Sequence, residues 1–392
     1  MNTQRDYDLV LYGASGFTGK LVAEYIAKNY GETDVRWAFA GRNAQKLSDV
    51  RDELGLPADF PLILADADDP QSLHDMVAKT RLVITTVGPY QLYGEGLLAA
   101  CAKAGTDYVD LCGEPAWMRQ MIDAYEQTAQ QSGARIVFSC GFDSIPFDLG
   151  VLFLQSEARR QTGAPLRQVH GRVRSMKGGF SGGTAASLKA TLAAAAENPD
   201  ILALLRDPFA LVPDFDGPKQ PSGMKPLFDE QCQSWAAPFI MAPINTRNVH
   251  RSHALLGHPW GRDFTYDEMI LTGPGDKGEA VAKAVAEDKS MMKEDGLKPG
   301  EGPSREEREN GSYDVLFIAP TDDGQSVRVS VSGDRDPGYG STSKMITEAA
   351  LCLLHDCPDV KGGIWTPAAA MGTALIKRLE ARAGLRFRVE QG

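Results

Sequence analysis

Residues Leu9-Val10-Leu11-Tyr12-Gly13-Ala14-Ser15-Gly16-Phe17-Thr18-Gly19-Lys20 constrain the fold of this chain more than any other stretch. A short apolar run enters three glycines, and a helical pattern of Leu21, Val22, Tyr25 and Ile26 follows at once. The order strand, turn, helix gives each glycine a task. Gly13 makes the tight turn, Gly16 lets a pyrophosphate approach the backbone, and Gly19 lets the helix pack on the sheet. The N–H groups of Ser15, Phe17 and Thr18 then sit at a helix start, where the positive end of the dipole favours an anion. The stretch predicts a dinucleotide site.

The second strand decides which dinucleotide. Trp37-Ala38-Phe39-Ala40 reads as that strand, and Gly41-Arg42-Asn43 follows it. A site selective for NAD places a carboxylate there for the ribose 2′-hydroxyl, whereas an arginine accommodates a 2′-phosphate. Arg42 stands at this strand end, and the first acid after it is Asp49. A guanidinium pairs bidentately with phosphate, and Lys46, one helical turn on, adds charge. NADP(H) is therefore the expected cofactor, with Gly13, Ser15, Gly16, Phe17, Thr18, Gly19, Arg42, Asn43 and Lys46 as its contacts.

Residues 1–150 alternate strand and helix as a Rossmann-type, doubly wound parallel sheet does. Pro61 to Asp66, Arg81 to Val87, Tyr108 to Leu111 and Ala134 to Ser139 continue the strand series. Their unbroken apolar runs suit parallel strands covered on both faces. Ligands in such sheets bind beyond the carboxyl ends of the strands. Val87 and Gly88, at one such end, join the expected cofactor contacts. Asp66, at another, has two readings: it faces the adenine, or it caps a helix beginning near Asp69 and Pro70.

Charge and composition narrow the partners. A formal net charge of -11 argues against nucleic acid. Six cysteines are scattered without a metal-ligand spacing, so no metal is expected. No apolar signal segment precedes Tyr7, and no apolar run approaches the roughly 18 residues of a membrane span. A reduced, cytoplasmic protein is expected, with peripheral contact at the inner membrane left open. Oligomeric state is also left open, a dimer being compatible.

Further motifs follow in order. Ala40-Gly41-Arg42 is followed by Val87-Gly88-Pro89-Tyr90-Gln91-Leu92-Tyr93-Gly94-Glu95, then by Gly105-Thr106-Asp107-Tyr108-Val109-Asp110-Leu111-Cys112-Gly113-Glu114, then by Gly141-Phe142-Asp143-Ser144-Ile145-Pro146. With the glycine turn, this series resembles the saccharopine dehydrogenase-like oxidoreductases, and within them the trans-acting enoyl reductase branch. Lys177 to Thr184, Ala237 to Ser252, Pro299 to Ser304, Asp336 to Tyr339 and Glu348 to Leu351 carry the likeness through the rest of the chain. The resemblance implies an NADPH-dependent reductase acting on a carbon–carbon double bond of an acyl or polyketide-type lipid intermediate. It also implies a small-molecule or carrier-bound substrate.

Residues 151–340 read as a second, α+β unit on a mostly antiparallel sheet. Val169 to Val173, Met269 to Leu271, Tyr313 to Ala319 and Ser326 to Val331 are its expected strands, the last two a hairpin around Thr321-Asp322-Asp323-Gly324. Asp207 to Pro243 is expected to wrap the substrate cleft, and Glu287 to Glu309 to be a mobile surface loop. Residues 341–392 form a C-terminal segment, helical over Lys344 to Leu354 and Ala368 to Leu379. By resemblance these helices pack back on the first unit.

Two constellations are candidates for substrate. Lys177, Ser181, Gly182 and Gly183 precede a helix and combine free N–H groups, a dipole and an ammonium; the alternative is a capped glycine turn. Arg247, His250, Arg251, His253 and His258 offer cations to an acidic substrate, or are helix-end and surface residues. For the chemistry, Tyr90 and Tyr93 follow the fourth strand, and either phenol is placed to donate a proton or hydrogen bond; each also suits aromatic packing. Asp143 and Glu114 stand at strand ends but equally read as helix starts before Pro146 and Pro115. Besides the enoyl reductase, an imine or amino-acid dehydrogenase and a non-catalytic nucleotide-binding scaffold are compatible with these residues.

Overall fold

The computed structural model describes residues 5–31, 33–179, 182–288 and 301–391. Strands β1 (Tyr7–Tyr12), β2 (Trp37–Gly41), β3 (Leu62–Leu64), β4 (Thr80–Thr85), β5 (Asp107–Val109) and β6 (Arg135–Val137) build the first sheet. All pair in parallel, in the order β6-β5-β4-β1-β2-β3. Helices α1 (Phe17–Asn29), α2 (Ala44–Glu53), α3 (Pro70–Val77), α4 (Tyr90–Tyr93), α5 (Glu95–Ala104), α6 (Pro115–Ser132) and α7 (Ile145–Thr162) connect and follow these strands. The unbroken apolar runs have the expected cause. Leu9 and Leu11 bury into one face of the sheet, while Val10 and Tyr12 bury into the other. Because side chains alternate across a strand, a sheet covered twice needs apolar residues at every position.

The second sheet contains β7 (Gln168–Lys177), β8 (Leu227–Asp229), β9 (Ser234–Pro238), β10 (Thr265–Gly273), β11 (Ser312–Pro320) and β12 (Ser326–Gly333). Only β7 and β10 pair in parallel; the remaining pairs are antiparallel, as expected. Around it lie α8 (Gly182–Glu197), α9 (Pro199–Arg206), α10 (Ala242–Leu255), α11 (Gly275–Glu287) and α12 (Arg305–Glu309). Of the mobile loop expected over Glu287 to Glu309, residues 289–300 lie outside the described residues, and the end of it is corrected to a helix. Ser304 and Glu307 form a capping box for α12, and Arg305 of that helix pairs with Glu24 of α1 at 2.8 Å. Within Asp207 to Pro243, Phe209 packs on His250 of α10 and Phe215 stacks on His258 just after that helix, both at 4.7 Å.

The C-terminal segment ties the two sheets together. It contains α13 (Thr342–His355), β13 (Gly363–Trp365), α14 (Pro367–Ala370), α15 (Gly372–Arg378) and β14 (Leu385–Glu390). Helix α13 is buried along nearly its whole length and packs against α1 and β4. β13 adds a seventh strand to the first sheet beside β6, and β14 adds an edge to the second beside β12. These two strands lie outside the all-helical expectation. The helix expected over Ala368 to Leu379 is interrupted at Gly372, whose φ of +45° is left-handed backbone.

Candidate active site

The glycine turn joins β1 to α1. Gly13 has φ +91°, and a methyl there would lie 2.7 Å from Val87 Cγ2. A methyl on Gly19 would lie 2.0 Å from the Gly13 carbonyl oxygen, so close helix–sheet packing demands glycine at that position. Gly16 is the N-cap of α1, with no side chain capping the helix. A methyl on Gly16 would meet only the Gly13 carbonyl oxygen, at 3.3 Å, so the space before the helix start is open. Arg42 and Lys46 are exposed and make no ion pair among the described residues. Open N–H groups on one side and two unengaged cations on the other fit the pyrophosphate and 2′-phosphate of NADP.

Three of the expected contacts act differently in detail. Asn43 Oδ1 accepts from Lys46 N at 2.9 Å and caps α2, so its side chain shapes the cradle from behind. Asp66 Oδ1 accepts from Asp68 N, while Asp69 caps α3; of its two readings, capping belongs to Asp69. The Phe17 ring meets Tyr339 edge-on at 5.2 Å, with the Arg308 guanidinium 5.6 Å away. That ring faces the second unit, leaving only the Phe17 backbone at the helix start.

Beyond β4, β5 and β6 lies the other half of the crevice. Glu114 Oε1 and Oε2 accept from the N–H groups of Tyr90 and Gln91, at 2.9 and 2.8 Å, and hold the α4 turn. No local sequence signal points to this role, because the partners are more than twenty residues apart. The buried Tyr90 hydroxyl accepts from Leu111 N at 3.1 Å and donates to the Thr85 carbonyl at 3.3 Å. Burial pushes that phenol well above its ordinary range. The expectation that Tyr90 donates to a substrate is therefore corrected: both hydrogen-bonding directions are occupied by the protein. Tyr93 is 43% exposed.

A second clasp fixes the ends of β5 and β6. Asp110 accepts from Cys112 N at 3.0 Å, Ser139 N at 2.8 Å and the Tyr108 hydroxyl at 2.9 Å. Burial pushes its carboxyl up to about 7, against these hydrogen bonds. Ser139 has φ +58° and donates from Oγ to the Cys112 carbonyl at 2.6 Å. The loop that follows is held from two sides: Phe142 N donates to Thr342 Oγ1 of the C-terminal segment at 2.9 Å, and Asn248 Nδ2 of the second unit to Ser144 Oγ at 2.8 Å. Asp143, between these anchors, has its Oδ2 3.3 Å from where a methyl on Gly113 would sit.

The substrate constellations divide. Lys177 is exposed at the end of β7, and Gly178 packs against Pro337. Gly182 and Gly183 open α8, whereas Ser181 lies outside the described residues. The basic cluster on α10 is corrected outright. Arg247 donates to the carbonyls of Pro243 and Leu205, and burial pulls its guanidinium down to about 10. Arg251 donates to the carbonyls of Leu211 and Ile364 and to Glu126. His253 stacks on Trp260 at 4.8 Å, and burial lowers it to about 4. These groups staple α10 to its wrapping; Arg247 is no open substrate contact.

A glycine turn before α1, cations beyond β2 and a second sheet closing the crevice together define an NADP-dependent oxidoreductase. Residues 9–137 match the saccharopine dehydrogenase NADP-binding domain. A Mycobacterium tuberculosis protein named among the trans-acting enoyl reductases is 43% identical, over 97% of this chain and 96% of its own. The trans-acting enoyl reductase of Mycobacterium ulcerans is 37% identical, over 96% of each. The chain belongs to this family, the trans-acting enoyl reductase branch of the saccharopine dehydrogenase-like oxidoreductases. In fold it is similar to saccharopine dehydrogenase (L-Glu forming) of Saccharomyces cerevisiae, with a TM-score of 0.55, 13% identity, and coverage of 98% of this chain and 100% of that one. Among the described residues, no helix is long and apolar enough to cross a membrane.

Proposed function

We propose that this protein reduces the carbon–carbon double bond of an enoyl thioester delivered on a separate carrier. The observation that carries this reading is the near full-length identity to proteins named trans-acting enoyl reductases. When bound, NADPH supplies the hydride. The chain's own residues orient that reaction: the N–H groups of Phe17, Thr18 and Gly19 would hold the pyrophosphate, Gly16 N being taken by the Gly13 carbonyl, and Arg42 with Lys46 would hold the 2′-phosphate. With Arg42 and Lys46 holding its phosphate beyond β2, the cofactor's reactive end would be received by residues beyond β4, β5 and β6, on the other side of β1. Of the two phenols, Tyr93 is the one open to a ligand, and it donates to the carbonyl oxygen that gathers enolate charge.

Delivery by a carrier fits the apolar mouth of this crevice. Leu92 and Tyr93 of α4 are exposed, as is Leu192 of α8. Gln91 Nε2 donates to Thr191 Oγ1 at 3.2 Å, which brings these two helices together. The test follows nicotinamide absorbance as purified protein meets NADPH and enoyl thioesters of varied chain length, on pantetheine and on acyl carrier protein. Oxidation that falls about tenfold or more in Tyr93→Phe is expected. No oxidation above background with any thioester overturns the reading, and amino-acid-dependent reduction of NADP would replace it with carbon–nitrogen chemistry.

A further inference from the structure

Asp143, half-buried, stands apart from the buried acids near it because the protein gives its carboxyl nothing to do. Asp110 clasps two strand ends, Glu114 caps the α4 turn, and Asp148 binds Ser252 Oγ and Ala368 N. Among the described residues, no side chain of another residue hydrogen-bonds the Asp143 carboxyl, and no cation pairs with it. Its backbone, by contrast, is held on both sides. The Asp110 clasp fixes the loop's start, and Thr342 and Asn248 fix Phe142 and Ser144 on either side. This unengaged carboxyl lies beside Gly113, between the loops that follow β5 and β6, at the strand ends beyond which ligands of such sheets bind. A side chain on Gly113 would press on Oδ2, its β-carbon lying 3.3 Å away.

We propose that Asp143 is the catalytic acid that protonates the α-carbon of the enoyl thioester, an assignment that rests on the reductase reading above. Hydride arriving at the β-carbon shifts the double-bond electrons onto the α-carbon and carbonyl oxygen. The Asp143 O–H bond then breaks as the new α-carbon C–H bond forms, leaving the saturated thioester, NADP+ and the Asp143 carboxylate. Water entering the cleft returns the proton. Net, one thioester, one NADPH and one proton give product and NADP+.

The surroundings suit an acid. Burial pushes the carboxyl up to about 6, and the only hydrogen bond that opposes this comes from its own backbone. The titratable groups packed nearby are the Cys112 thiol, itself pushed well up by burial and by Asp110, and Glu114, whose oxygens are held by Tyr90 and Gln91. Thr342 and Asn248, from α13 and α10, are neutral. A carboxyl in this range is protonated often enough near neutrality to serve as donor.

The test uses the full chain and its Asp143→Asn and Asp143→Ala variants. NADPH binding, read by fluorescence, is expected to stay within about twofold of wild type. The kcat with an active enoyl thioester is expected to fall about 100-fold or more, with KM little changed. Wild-type kcat/KM is expected to decline above about pH 6, a limb that Asp143→Asn lacks, and formate is expected to restore part of the turnover of Asp143→Ala. Independently of turnover, 13C-aspartate spectra of the cofactor-free wild type are expected to show a carboxyl with its midpoint near 6, absent from Asp143→Asn. Wild-type turnover retained in Asp143→Asn overturns this assignment alone. A wild type that binds NADPH but reduces no enoyl thioester overturns the reductase reading and the assignment with it. If both variants lose NADPH binding through misfolding, the wild-type titration decides, and a midpoint in the ordinary aspartate range overturns the proposal.

Discussion

The start of α1 and the helix α10 both gather hydrogen-bond donors of the kind that receive anions, yet their donors end on opposite partners. At α1 the N–H groups face open space, no side chain caps the helix, and Arg42 and Lys46 stay unpaired among the described residues. On α10 every guanidinium nitrogen that donates reaches a backbone carbonyl or Glu126. Both regions use cations, but they spend them differently. A receptor keeps donors unsatisfied by the protein and turned to solvent, where a ligand gains by satisfying them. A staple buries them against carbonyls that would otherwise be orphaned at a cost of about 1–3 kcal/mol each.

The sharpest way to break this contrast is Arg251→Ala. It strips donors from two buried carbonyls and from Glu126, and should lower unfolding free energy by about 3 kcal/mol or more in denaturant melts. The folded fraction should bind NADPH as wild type does; a stable variant with lost ligand binding would make α10 a receptor after all. Arg42→Ala should do the reverse. Titrations should show NADPH affinity falling by roughly 1.5–3 kcal/mol, or about 10–150-fold, with NADH affinity and melting nearly unchanged. Equal losses for both cofactors would remove the 2′-phosphate contact.

Gly19→Ala probes the turn itself. A methyl 2.0 Å from the Gly13 carbonyl forces α1 off the sheet, at about 1–3 kcal/mol in thermal unfolding, with weaker binding of both cofactors alike. A variant as stable and as tight as wild type would show that the close approach is dispensable. The smallest effect belongs to Tyr90→Phe, about 1 kcal/mol of stability for one lost buried hydroxyl, with kcat unaltered. A large loss of kcat at unchanged stability would return Tyr90 to the chemistry.

Much of the first unit was legible because its signals are local. The turn at Gly13, the strand ends at Arg42 and Gly88, and the unbroken runs of β1 and β4 each lie within a dozen residues. What escaped was assembled across distance. β13 offers only three residues, too few to show a period, and it is a strand because β6 presents a free edge. The function of Glu114 depends on Tyr90 and Gln91 coming to meet it. Tyr90 and Tyr93 stand on the same short helix, and burial alone separates a packing residue at 6% exposure from an open phenol at 43%.

The sequence by itself determined the cofactor half of this protein. A steric demand such as the φ of Gly13, or a charge such as Arg42, is written in one residue and its immediate neighbours. Only the tertiary structure decided which polar groups are free. Asp143, Glu114 and Asp110 are chemically alike and all sit near strand ends. Hydrogen bonds from distant parts of the fold occupy two of them and leave the third without a side-chain partner among the described residues. Reactivity depends on what remains unsatisfied after folding, and that is a property of the whole chain.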